Sequence, residues 1–345
     1  METIERLWME MEAEGGSSWL MRLSRKEGKN PLVIAWEPQN GARGFLLPVP
    51  EITLPLRREW PECRGLEWLT VELGGVVHWG VRLRDKLCSD VFTALAQDLD
   101  RRLTFVEGVE PAAAELFGRL KLWQQFLKAW HDGMGSEAAR GLWGELHFLN
   151  NALLTILDAG TAVRAWTAGT GAHQDFQFPN ASVEIKTTAA KQPQSVRITS
   201  ERQLDETGAG ELFLIVLIVD DREIPSRGTA SGSSLPQMIE SVRAALAVNP
   251  PSLLLFNDLL LQRGWMNEFA SHHESRCLTL RDELVFHILP GFPRLVEADL
   301  PTGVGDVNYA LSLPSCEPFR IVRKILMELL GPRNFFSVKV VSDFC

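Results

Sequence analysis

No stretch of this chain approaches eighteen uninterrupted apolar residues, so no membrane-spanning helix is expected in its 345 residues. Nor does it open like a secreted protein. METIERLWMEMEAE lacks the basic-then-apolar order of a signal peptide and reads as an acidic amphipathic helix, which points to the cytoplasm. Paired cysteines are missing as well. Cys63, Cys88, Cys277, Cys316 and Cys345 are scattered without a CxxC pair, which argues against a disulfide framework and a thiolate zinc site and predicts reduced, mostly buried thiols. No GxxxxGK[ST] segment exists, so any use of ATP must come from a partner. No Ser-His-Asp or Cys-His set has a recognisable local context. In SHHESRC (271–277) the adjacent histidines point apart on a helix or strand, and a shared metal is not expected. Positive charge is scarce too: 35 Lys and Arg against 44 Asp and Glu leave −9, so a nucleic-acid partner requires an uneven distribution of charge.

What is present is an ordinary globular composition, 45% hydrophobic and 23% charged, in a chain long enough for two or three domains. Residues 1–108 read as an α+β domain. Strand-like runs LVIAWEP, GFLLPVP, LEWLTVEL and VVHWGVRL are broken apart by Pro, Gly and Asn, and SDVFTALAQDLDRRL follows as a helix with Ser89 as its N-cap. Trp36, Trp60, Trp68 and Trp79 suit core packing better than a base-stacking platform. Residues 109–134 form a connector helix, with Leu116, Leu120, Trp123, Leu127 and Trp130 on one stripe until HDGMG breaks it. Residues 135–250 mix helix and strand: a helix from Ser136 to about Leu157, a hairpin over 173–188, SVRIT, the long buried strand ELFLIVLIVDD, a polar loop REIPSRGTASGSS, and a helix with Pro236 in its first turn. Residues 251–345 read as a C-terminal α/β extension packed on that core. The fold class predicted is α/β, α+β overall, with a mixed central sheet flanked by helices.

The hairpin HQDFQFPNASVEIKTT (173–188) carries the oddest charges. Side chains alternate along a strand, so Val183, Ile185 and Thr187 share one face while Glu184, Lys186 and Thr188 share the other. In HQDFQF, Phe176 and Phe178 oppose Asp175 and Gln177. Pairing the two through the PNAS turn gives one apolar face and one face bearing Asp175, Glu184 and Lys186. Two neighbouring carboxylates repel unless something positive sits between them, and a hard divalent cation fills that need better than lysine alone. The preceding helix buries Leu142, Leu146, Leu149 and Leu153 and places Glu145 at the edge of that stripe. Gly141 and Gly144 flank Glu145 and fit a helix lying tightly on a sheet. A same-face ion pair between Glu184 and Lys186, structural and nothing more, is the plainer alternative. Lys191, Arg197 and Arg202 make the neighbourhood positive within an acidic chain, as a phosphodiester substrate needs. In TSERQLD, Ser200 and Gln203 fit a capping box, and the same helix start can carry Arg202 and Gln203 towards a phosphate.

Asp175, then Glu184-Ile185-Lys186, resembles the D…ExK signature of the PD-(D/E)XK nuclease superfamily, with Gln174 where the superfamily name has proline. Glu145 in GLWGELHFL resembles the acidic residue on the first core helix of that fold. TAGTGAHQDFQF, VEIKTT, VRITSERQLDE, GFPRLVEADLP and GVGDVNYALSL together resemble one prokaryotic family of PD-(D/E)XK proteins of unknown function, found in restriction and anti-phage defence neighbourhoods beside ATPases and DNA methyltransferases. The resemblance runs from about residue 30 to 320. It implies a restriction-endonuclease-like core and a Mg²⁺-dependent DNA endonuclease, Mn²⁺ substituting, in which Asp175, Glu184, Glu145 and the Ile185 carbonyl hold the metal. Lys186 would contact the attacking water or the phosphate. It also implies defence-system partners, with a homo-oligomer possible. A nuclease-fold subunit that binds DNA or assembles without cutting is the alternative.

Overall fold

The computed structural model of the chain describes residues 4–49, 60, 65–84, 89–129, 134–168, 171–191, 195–207, 210–223, 232–267 and 270–331. Two compact units divide it, Met1–His131 and Asp132–Cys345. Among the described residues no helix is long and apolar enough to cross a membrane.

In the first unit, helix α1 (Ile4–Glu14) precedes strands β1 (Leu20–Leu23), β2 (Val33–Glu37), β3 (Ala42–Pro48), β4 (Leu66–Leu73) and β5 (Val76–Leu83). These form an antiparallel sheet in the order β1-β2-β3-β5-β4, followed by α2 (Ser89–Leu103) and α3 (Val109–Ala129). Trp8 of α1 is fully buried and donates its indole N–H to the carbonyls of Ala35 (3.0 Å) and Gly44 (3.3 Å), which pins the helix to the sheet. A Cβ at Gly80 would stand 2.0 Å from the Phe45 carbonyl oxygen, so only glycine lets β5 pass β3 there. Trp68 stacks on the buried Trp79 at 4.7 Å, and Trp60 tilts against both rings. These tryptophans therefore pack on one another. On the same sheet Arg82 bridges Glu37 (2.7 Å) and Glu67 (2.5 Å), and Arg84 closes on Glu67 at 2.8 Å. α2 starts at Ser89; Cys88, the position before it, lies outside the described residues, as do Cys63, Trp130, Cys345 and most of the polar loop after Glu223.

The second unit begins with α4 (Ser136–Phe148), which runs through a π-turn (Leu149–Leu153) into the single turn α5 (Leu154–Ile156), and then α6 (Ala159–Ala165). One uninterrupted helix to Leu157 was expected. The segment LNNAL widens instead, and Asn150 in that turn bonds to Ser241 at 3.1 Å. Five strands form the sheet: β6 (Phe176–Gln177), β7 (Ala181–Thr188), β9 (Glu211–Glu223), β10 (Arg276–Ile288) and β12 (Arg320–Ile321), in the order β12-β10-β9-β7-β6. β7 and β9 are parallel and the other pairs antiparallel. β8 (Ser195–Ile198) and β11 (Tyr309–Ser312) pair separately. Helices α7 (Leu235–Leu246), α8 (Pro250–Gln262), α9 (Ser271–Glu274), α10 (Leu313–Cys316) and α11 (Arg323–Leu330) complete the unit.

β9 explains why its sequence is apolar without alternation. Phe213, Ile215, Leu217 and Val219 enter a core shared with α4, α7 and α8. Leu212, Leu214, Val216 and Ile218 enter a second core with Val196 and Ile198 of β8 and Leu311 of β11. β10 pairs along nearly all of β9, so residues beyond 251 supply a strand of the sheet itself. Cys277 and Cys316 are buried and in no disulfide, and burial pushes the Cys316 thiol up to about 11.

Candidate active site

The charged hairpin sits at one edge of the second sheet. β6 is shorter than the sequence suggests, with Phe176 opposite Val183 and Gln177 opposite Ser182. It stops short because the Ile185 amide, which this register would give to the Gln174 carbonyl, is taken by the Asp175 side chain, while the Gln174 carbonyl accepts the Thr167 hydroxyl. Asp175 Oδ2 accepts the Ile185 amide at 2.8 Å. Among the described residues no donor reaches its other oxygen. The Val183 and Ile185 side is buried in the helix-side core, and Thr187 lies against α4. A Cβ at Gly144 would come within 1.9 Å of Thr187 Oγ1, so that glycine sets the close approach of α4 to β7; nothing crowds Gly141, which has no such role.

On the opposite face Glu184 is 1% exposed. Its Oε1 lies 2.7 Å from Lys186 Nζ, whereas Oε2 is buried without a hydrogen-bond partner. Burial pushes the Asp175 carboxyl well above the usual carboxylate range, and the charges of Glu184 and Glu145 push it further. Burial also raises Glu184, opposed by Lys186. Two buried carboxylates whose pKa values are both raised mark a place short of positive charge. A buried carboxylate oxygen with no donor is what a cation ligand looks like before the cation, so Asp175 and Glu184 fit a hard divalent ion. Among the described residues no three His, Cys, Asp or Glu side chains converge as a ready cage. Such an ion would therefore draw the rest of its shell from backbone, solvent or substrate.

Lys186 is held from two sides, by Glu184 and by Gln203 Oε1 at 3.0 Å. Gln203 lies in a 3-10 turn (Glu201–Leu204) that belongs to the crossover between the parallel strands β7 and β9, which carries it over the charged face. Its oxygen also accepts the Thr199 amide at 3.0 Å. The capping box expected of Ser200 and Gln203 is not formed. Ser200 caps Arg202 instead, and Gln203 reaches one residue further back, to Thr199, because the turn is too tight for the α-helical spacing.

Glu145, 3% exposed, is differently placed. Its Oε2 accepts the Trp166 indole N–H at 2.9 Å, and Arg263 grips both oxygens through Nε (3.1 and 3.3 Å) and Nη2. The Glu145 charge raises the Arg263 pKa further against its burial.

These groups line an open groove of about 900 Å³ that also takes in Arg140, Arg197 and Thr199. Glu145, Asp175, Glu184, Ile185, Lys186, Arg197 and Gln203 are thus brought together. Lys191 and Arg202 are not in that lining. Lys191 is exposed beyond the end of β7, and Arg202 turns to Glu201 (3.7 Å) and Glu297 (3.5 Å), away from the groove. Sequence reasoning missed Arg263, Trp166 and the part played by Gln174. The Gln174 amide donates to the Arg202 carbonyl at 3.0 Å and ties the Asp175 segment to the 3-10 turn. Only Arg263 had a local signal, the glycine after it in QRGW that ends a helix.

A family model described as "Putative PD-(D/E)XK family member, (DUF4420)" matches residues 4–314, so the chain belongs to that family, and the match takes in most of both compact units. No curated protein and no solved structure matched it. The mixed sheet, with α4, α7 and α8 on one face and the β8–β11 pair and α10 on the other, is a restriction-endonuclease-like α/β fold.

Proposed function

We propose that this chain is a divalent-cation-dependent endonuclease that hydrolyses phosphodiester bonds in DNA. The observation that carries the reading is the Glu184 carboxylate, buried beside Asp175 with one oxygen unpartnered, on the wall of a groove that also presents Lys186 and Arg197. Asp175, Glu184 and the Ile185 carbonyl would hold the ion, Mg²⁺ with Mn²⁺ able to substitute. Bound there, the ion supplies a lowered pKa for water and a counter-charge for the phosphate. The chain's own residues do the rest. Lys186, fixed between Glu184 and Gln203, holds the attacking water or a non-bridging phosphate oxygen through its remaining N–H. Arg197 and Thr199 border the path of the strand. In-line attack breaks the P–O3′ bond and leaves a 5′-phosphate and a 3′-hydroxyl. The setting we propose is the cytoplasm, in a restriction or anti-phage system with an ATPase and a DNA methyltransferase as partners and self-association possible.

The 2.7 Å pair between Glu184 and Lys186 favours a second reading, a catalytically silent subunit whose ion pair is structural. Cleavage of plasmid and phage DNA with Mg²⁺ or Mn²⁺ separates the two. Lys186→Ala and Asp175→Asn are each expected to lower the rate a hundredfold or more. Equal cleavage by wild type and both variants rejects the proposed roles, and a wild type that neither cuts nor binds Mn²⁺ favours the silent subunit.

A further inference from the structure

Glu145 and Glu184 are both buried carboxylates of one groove, yet their oxygens are used in opposite ways. Glu184 keeps one oxygen without a partner. Glu145 has none to spare: Trp166 donates to Oε2, and the Arg263 guanidinium spans both oxygens side-on. A cation could reach Glu145 only by displacing Arg263, and that exchange would strip a charge-assisted, two-point pair from a buried acid.

Arg263 is also fixed at its backbone. It is the C-cap of α8, and Gly264 follows at φ +90°. The Gly264 amide bonds the Leu261 carbonyl (3.0 Å) and the Trp265 amide bonds the Leu260 carbonyl (2.9 Å), the paired bonds that lock a helix end. Trp265 is buried and anchors that end. The guanidinium thus has a rigid base and a rigid carboxylate clamp. Nε and Nη2 are committed to Glu145, and among the described residues Nη1 has no acceptor, while the side chain remains 38% exposed to the groove. A planar cation held by one edge offers the other to a tetrahedral anion.

We propose that Arg263 grips a phosphodiester group of the strand in this groove and that Glu145 is its positioning residue, not a metal ligand. The inference rests on the nuclease reading for its substrate class. It narrows the metal-holding side chains to Asp175 and Glu184.

Binding of labelled duplex DNA in EDTA, read by fluorescence anisotropy, tests the grip without any metal. Arg263→Ala and Glu145→Gln are each expected to weaken binding about tenfold, the double variant no more than either alone, and Arg263→Lys to recover part of the loss. Calorimetric titration with Mn²⁺ tests the other half: Glu145→Gln keeps wild-type affinity, and Asp175→Asn loses it. Wild-type DNA affinity in Arg263→Ala overturns the grip, and loss of Mn²⁺ affinity in Glu145→Gln overturns the positioning role. A wild type that binds duplex DNA neither in EDTA nor with Ca²⁺ in place of Mg²⁺ overturns the nuclease reading, whatever the variants do. Arg263→Ala leaves the buried Glu145 without its cation, so the Arg263→Ala, Glu145→Gln double variant, which removes both charges together, keeps the test open if either single variant folds poorly.

Discussion

On the sheet of the first unit Glu67 lies between Arg82 and Arg84, and Arg82 also holds Glu37. On the sheet of the second, Glu184 has Lys186, Glu145 has Arg263, and Asp175 has an amide. Both clusters are built from ordinary ion pairs, and they end with opposite electrostatics. The two arginines hold the Glu67 carboxyl down at about 2, whereas burial among like charges drives Asp175 and Glu184 upward. A cluster that serves only stability supplies a cation for each acid. One that leaves a buried acid short has room for a ligand that brings the missing charge.

The strongest way to sharpen this contrast is to supply that charge. Saturating Mn²⁺ is expected to raise the unfolding free energy of wild type by about 2.7 kcal/mol at a hundredfold excess over Kd. Thermal unfolding of the Asp175→Asn, Glu184→Gln double variant should show almost none of this shift, and an equal shift would place the ion elsewhere. Removing the excess charge is the next step. A raised folded-state pKa means that the Asp175 contribution is fully present below the unfolded value of 3.8 and is lost as pH rises through the higher folded value. Without metal, Asp175→Asn should therefore stabilise the protein at pH 8 by on the order of 1 kcal/mol, a gain that vanishes below about pH 4. Denaturant melts at the two pH values measure it, and a loss at pH 8 would contradict it. The smallest effect belongs to the balanced cluster. Glu67→Gln should cost about 1 kcal/mol at neutral pH, since the pair is partly exposed and screened. Here the sign reverses: the Glu67 contribution is present above its unfolded value of 4.5 and is lost as pH falls towards about 2, so the penalty fades on acidification. A penalty constant down to pH 2 would show that the arginines do not act through charge.

The parts of this site that were legible in the sequence are the local ones. Period-two alternation set Glu184 and Lys186 against Val183 and Ile185 because a strand has no freedom in that respect, and β9 announced itself by eight successive apolar residues, Leu212–Val219, all of them buried. Gly144 was legible as a close approach, although its neighbour Gly141 carried the same signal and makes none. Three features were hidden. β6 shortens because the Asp175 side chain takes the Ile185 amide that the next rung of the ladder would use. The π-turn after α4 has no strong sequence mark beyond two asparagines. The partner of Glu145 is 118 residues away, and no periodicity links positions so distant.

That separation bears on how the protein is made. A chain emerging from the ribosome carries Glu145, Asp175, Glu184 and Lys186 long before α8 and its arginine exist. Until Arg263 arrives, burying the charged edge of α4 costs several kcal/mol for an unpaired carboxylate. The helix can form early, yet its seat on the sheet stays open until synthesis passes residue 263. The same arginine that shapes the groove thus also times its closure, and an unfinished chain has no finished blade.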